Sequence, residues 1–116
     1  MIENKPFFSC EEPDNDTILV RLCGEIDHHS AVRVRSELDE LIFAKRPKKM
    51  IFDMSEIGFM DSSGLGLIMG RYSLIKDFGG SLVLREPTQA TMKILKLAGM
   101  ERIIKIEKGE KKNENR

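Results

Sequence analysis

Apolar and polar residues alternate along this chain in blocks that read as strands and helices in turn. Lys5 to Glu11, with Phe7, Phe8 and Cys10, predicts an edge strand. Pro13-Asp14-Asn15-Asp16 is turn chemistry, because Asp and Asn bond back to nearby backbone and Pro presets φ. Thr17 to Cys23 is β-branched and mostly apolar, so it predicts a second strand, paired with the first as an antiparallel hairpin. Gly24 to His29 then reads as a polar loop. Asp27 or Ser30 can cap a helix over about 30–44, whose apolar positions Ala31, Val34, Leu38, Leu41 and Ile42 keep to one face.

Pro47 and its neighbouring lysines end that helix. Met50 to Met54 is a short, nearly all-apolar run, as expected of a strand covered on both faces. Ser55 to Ser62 reads as a long loop. A helix follows to about Phe78, with Leu67, Ile68, Leu74 and Ile75 as core candidates, and Gly79-Gly80 stops it. Ser81 to Arg85 is another strand. Thr88 caps a third helix through Met92, Ile94, Leu95 and Leu97, with Gly99 just past its end. Ile103 to Ile106 predicts a last strand. Residues 108–116 hold no apolar side chain and predict a disordered, charged tail. A β-hairpin followed by repeated α-β units implies an α/β domain. Its central sheet is mixed and mostly parallel, with about five strands and about three packed helices.

Composition narrows the function classes. A length of 116 residues favours one domain, large enough to bury a core without a disulfide or metal. Lys plus Arg equals Asp plus Glu at 19 each, which gives no electrostatic ground for nucleic acid or an anionic membrane as partner. The first residues hold no apolar run of signal-peptide length, and nothing approaches a bilayer span, so the expectation is cytoplasmic. Cys10 and Cys23 are the only cysteines. Neighbouring strands could bring them close, but a reducing compartment favours free thiols.

Four constellations carry candidate chemistry. Asp61-Ser62-Ser63-Gly64 follows a strand-like run and opens a helix. Capping alone accounts for Asp or Ser there. The same geometry suits a switch, since phosphate on Ser62 or Ser63 would place nearly two negative charges at the positive end of a helix. These residues alone do not choose between the two serines. Gly64 to Gly70 resembles a dinucleotide fingerprint, but it is G-x-G-x-x-x-G, and the expected loop before it is long where the fingerprint wants a tight turn. Close helix–sheet packing explains such glycines as well. A nucleophile elbow lacks its glycine two residues before either serine. Glu25, Asp27, His28 and His29 make a poor chelate, because adjacent histidines point apart. In a parallel sheet their loop and the serine turn leave the same rim, where α/β proteins place binding sites.

Phe59-Met60-Asp61-Ser62-Ser63-Gly64-Leu65-Gly66, together with Gly24-Glu25-Ile26-Asp27-His28-His29, resembles the anti-sigma factor antagonists of the STAS-domain family. The Asp-His-His form and Gly70-Arg71-Tyr72 are similar to the branch acting on the sporulation sigma factor F. The resemblance implies a STAS-like domain over 1–107. It implies a cytoplasmic binding protein with no enzyme activity and no cofactor of its own. Its partners would be an anti-sigma factor that is also an ATP-dependent serine kinase, and a serine phosphatase that is metal-dependent. It selects Ser62 as the phosphorylated residue. Asp61, Ser63 and Gly64 would shape the acceptor turn, and Glu25, Asp27, His28 and His29 would line the same partner surface. Family members carry an additional apolar C-terminal helix, whereas Glu107 to Arg116 is Lys-, Glu- and Asn-rich. Three other readings share parts of this pattern: an antagonist for another stress-response partner, a scaffold subunit on the same fold, and a small nucleotide-binding module.

Overall fold

The computed structural model describes residues 8–108. Five strands lie in the order of the chain: β1 (Phe8–Asp14), β2 (Thr17–Ile26), β3 (Lys49–Met60), β4 (Ser81–Arg85) and β5 (Lys105–Glu107). β1 runs antiparallel to β2, and β2 to β5 are mutually parallel. The crossovers are α1 (His28–Lys45), α2 (Ser62–Asp77) and α3 (Gln89–Leu97), the last followed by a 3₁₀ turn at Met100–Arg102.

Alternation along the strands sets the two faces. Ile18, Val20 and Leu22, Met50, Phe52 and Met54, and Leu82 and Leu84 join one cluster with the buried stripes of α1 (Ala31, Val34, Leu38, Ile42) and α2 (Leu67, Ile68, Ile75). Leu95 of α3 and Met100 and Ile104 beyond it belong to the same cluster. Leu19, Ile51 and Val83 point to the other face, where the register aligns them as one cross-strand row. Burying side chains of this size stabilises by about 1.5–3 kcal/mol each, which is why these three helices hold to one face of the sheet.

Several expected boundaries change. Residues 24–26 are not a loop, because β2 continues to Ile26, paired with β3, and α1 begins at His28. Two register shifts, at Arg21/Cys23 and Gly24/Glu25, hide that continuation from a period-2 reading. Gly24 has φ +82°, a conformation that costs glycine little. Residues 55–60 are likewise not a loop but the second half of β3. Met54, Ile57 and Met60 are buried there at three-residue spacing, so the simple alternation is lost. The long loop expected before the glycine run therefore does not exist. Its strand passes through a single residue into α2, and only the spacing of the glycines still argues against a dinucleotide fingerprint.

The edge strand sits at 8–14 rather than 5–11, with residues 5–7 outside the described range. The last strand is 105–107, because Ile103 and Ile104 close the 3₁₀ turn with bonds to the Met100 carbonyl. The tail expectation lies outside the described residues except for Lys108. Cys10 stands opposite Val20, not Cys23, and both thiols are free.

Candidate functional site

β2 and β3 end side by side and each hands over to a helix through one aspartate. Ile26 pairs with Met60 in parallel register, and the Asp61 amide donates to the Ile26 carbonyl at 3.1 Å. Asp27 and Asp61 therefore start α1 and α2 on one rim, at the carboxyl ends of parallel strands. This is where open α/β sheets place their sites.

The α1 start is closed on itself. Asp27 Oδ1 accepts from the Ser30 amide at 3.0 Å, and the Ser30 hydroxyl receives the Asp27 amide at 2.9 Å. The same hydroxyl donates back to the Glu25 carbonyl at 2.8 Å. This is a capping box with serine in the return position. The bond from the Ser30 amide, more than any other, holds the Asp27 carboxyl below the usual carboxylate range. Ser30 is buried, whereas the side chains of Glu25, His28 and His29 are exposed. The two imidazole rings are tilted at 59° with centroids 6.2 Å apart. Among the described residues no three His, Cys, Asp or Glu side chains cluster as a metal site requires.

The α2 start is open. Asp61 Oδ1 accepts from the Ser63 amide at 2.8 Å, and the Gly64 amide donates to the Asp61 carbonyl at 3.0 Å. Ser62, the first helical residue, is exposed, and among the described residues its hydroxyl makes no hydrogen bond. Ser63 is half-buried. No acidic residue lies in the first turn of α2, so within that helix start its positive end is offset by the Asp61 cap. Gly64 is there for space. A Cβ at this position would run into the Met60 side chain and lie 3.3 Å from Ile26 Cγ2, so glycine lets α2 start directly above the two strand ends. A Cβ on Gly66 or Gly70 would meet nothing within 4 Å, so close packing explains only the first glycine of the run.

Between the two starts runs a groove of about 270 Å³, lined by His28, Val32 and Arg35 from α1 and by Ser63, Gly66 and Leu67 from α2. A model of the STAS domain matches residues 9–113. The chain belongs to the STAS-domain family. An anti-sigma F factor antagonist of Paenibacillus polymyxa is 36% identical over 95 residues, covering 82% of this chain and 81% of that protein. An anti-sigma-B factor antagonist of Bacillus subtilis (strain 168) is 32% identical over 96 residues, covering 83% and 85%. The anti-sigma factor antagonist SpoIIAA in its unphosphorylated form superposes with a TM-score of 0.79 at 28% identity, covering 90% of this chain and 89% of that one. The phosphorylated form of Bacillus SpoIIAA gives 0.72 at 28% identity, covering 90% and 92%.

On this STAS fold the sequence motifs are adjacent but not equivalent. His28 and Ser63 share the groove. Glu25 lies opposite Phe59 in the β2–β3 register, beside the rim. His29 does not line the groove. Sequence reasoning missed Val32, Arg35 and Phe59 as site residues. Val32 is 46% exposed and Phe59 51%, so both present apolar surface around the serine turn. One signal for Val32 was available, since it is apolar yet lies off the buried stripe of α1. Phe59 opens the motif that carries the resemblance, but with residues 55–60 read as a loop nothing marked it as exposed apolar surface.

Proposed function

We propose that this STAS-family chain is a phosphorylatable anti-sigma factor antagonist of the cytoplasm, acting on the circuit of the sporulation sigma factor F. Its unphosphorylated form binds an anti-sigma factor that is also a serine kinase, and the sigma factor is released. The observation that carries the reading is the exposed, unbonded Ser62 hydroxyl at the open positive end of α2, on a turn held by Asp61 and Gly64.

The chemistry follows from that placement. The kinase would transfer the γ-phosphoryl group of ATP to Ser62 Oγ. A new O–P bond forms as the bond to ADP breaks, and the hydroxyl proton passes to a base of the kinase. Because Asp61 and not Ser62 caps the helix, the added group breaks no bond that holds the fold. Nearly two negative charges appear beside Asp61, with Asp27 and Glu25 on the same rim. A partner seated on Phe59, Val32 and the uncharged serine turn then meets charge and bulk, and it dissociates while the domain stays folded. Hydrolysis of the phosphoserine by a serine phosphatase restores the binding form. The chain is ligand and substrate in this cycle, with no catalytic group of its own. Asp61, Ser62, Ser63 and Gly64 form the acceptor turn, and Glu25, Asp27 and His28 flank it; His29 lies at the margin.

The identity shared with an anti-sigma-B factor antagonist keeps a second circuit open. Incubation with ATP and the serine-kinase anti-sigma factor of the same organism, followed by intact mass and peptide mapping, tests both steps. One phosphate mapped to Ser62 is expected. No phosphate, with a kinase shown to be active, would sink the assignment to that partner and leave a sigma-B-type kinase as the next one to assay.

A further inference from the structure

Arg71 lies two helical turns below Ser63 on α2 and is 8% exposed, in the interface with α1. Its Nε is 2.9 Å from Asp39 Oδ1 on α1, close enough for an ion pair. The N–H does not point along that line. Arg71 Nε and Nη1 and Asp39 Oδ1 are all buried without a hydrogen bond among the described residues. Burial lowers the guanidinium pKa below its ordinary value, Asp39 opposes that shift, and Arg35, one turn above Asp39, adds to it. Arg71 is buried while the Asp39 side chain is 32% exposed, and a pair bonded so incompletely contributes little net stability, because desolvation of the guanidinium offsets its attraction. Apolar residues of the same volume would stabilise the interface at least as well. What such a charge pair does supply is register, since Arg71 comes within ion-pair distance of Asp39 only near one axial offset of the two helices.

We infer that Arg71 and Asp39 are positioning residues that set the axial offset of α1 against α2, and so the relative placement of the two helix starts on the partner rim. The inference rests on the proposed use of that rim. Geometry links the two levels. His28, Val32, Arg35 and Asp39 follow one another down α1 at helical spacing, as Ser63, Leu67 and Arg71 do down α2. Both helices start at the same strand ends, so a shift at the lower contact moves one wall of the groove past the other. Ser30 ties the α1 start to the Glu25 carbonyl and Gly64 seats the α2 start on Met60 and Ile26, so a change of offset at the lower contact has to be absorbed at both starts.

The test is the double variant Arg71→Met with Asp39→Leu, which removes both charges and leaves none unpaired, with Arg71→Lys alone as the conservative control. Melting temperature, backbone amide chemical shifts of the free protein and affinity for the kinase are measured together. A melting temperature within about 5 °C of the parent is expected. Shift changes should reach 27–32 and 63–65, beyond the substituted turns. Affinity should fall roughly tenfold, and Arg71→Lys, which keeps the charge but not the fork, should fall in between. Shift changes confined to the turns around 39 and 71, in a protein that melts like the parent, would overturn the inference. Changes that reach the rim with parental affinity would uphold the positioning role and count against the rim as the partner surface. If the double variant does not fold, Asp39→Asn with the same shift measurement decides the point by the same criterion.

Discussion

The two helix starts on this rim are built alike and left in opposite states. Each follows a parallel strand, each is capped by an aspartate, and their strands are paired up to the last residue. At the first, Ser30 is buried and its hydroxyl is spent on the Asp27 amide and the Glu25 carbonyl. At the second, Ser62 is exposed and its hydroxyl is uncommitted, while Asp61 alone holds the turn. A serine near a helix start is thus structural or modifiable according to whether its hydroxyl already belongs to the cap. Separating the cap from the acceptor is what would let phosphate arrive without unwinding the helix.

Exchange of function between the two serines is the strongest attack on that contrast. Ser62→Ala should abolish phosphate incorporation by the kinase while binding and melting temperature stay near those of the parent. Normal incorporation, seen by intact mass, would end the assignment. Ser30→Ala should do the reverse. It leaves the Asp27 amide without its partner and should lower stability by about 1–2 kcal/mol, or roughly 4–8 °C in melting temperature. Incorporation at Ser62 should continue.

Crowding the open start comes next. Gly64→Ala places a methyl against Met60 and Ile26 and should destabilise by about 1–3 kcal/mol, while Gly66→Ala, in open space, should not. Equal melting temperatures for the two would mean that α2 does not sit as closely on the strand ends as described. Smallest is the pH response of the closed start. Asp27 has a depressed folded-state pKa, so its contribution is complete above the ordinary carboxylate value of about 3.9 and is lost as pH falls through the lower folded value. Asp27→Asn should flatten the acid limb of the stability curve. An unchanged acid limb would mean that the carboxylate is not held by the Ser30 amide.

Legibility followed the regularity of the pattern. The stripes of α1 and α2, the strand at 81–85 and the Thr88 cap of α3 lie where their periodicity or cap chemistry placed them. The carboxyl-terminal halves of β2 and β3 did not read as strands. Two register shifts in β2 and three-residue burial spacing in β3 erase alternation there, although pairing between the strands continues. A capped helix start at Asp61-Ser62-Ser63-Gly64 was legible in the motif, but not which of its serines is exposed. The groove was not, because Val32, Arg35 and Gly66 meet only when α1 and α2 lie side by side.

By itself the sequence determined the order of elements, the two capped helix starts and the turn that accepts a phosphate in the proposed cycle, since each depends on residues within a few positions of one another. Tertiary structure decided three things. Gly64 is required by Met60 and Ile26, Arg71 meets Asp39 across a helix interface, and Ser30 is consumed where Ser62 is left free. The physical reason is one of range. Caps and turns are local hydrogen-bond problems, whereas the exposure of a hydroxyl or the closeness of two helices depends on what the rest of the chain has packed around it.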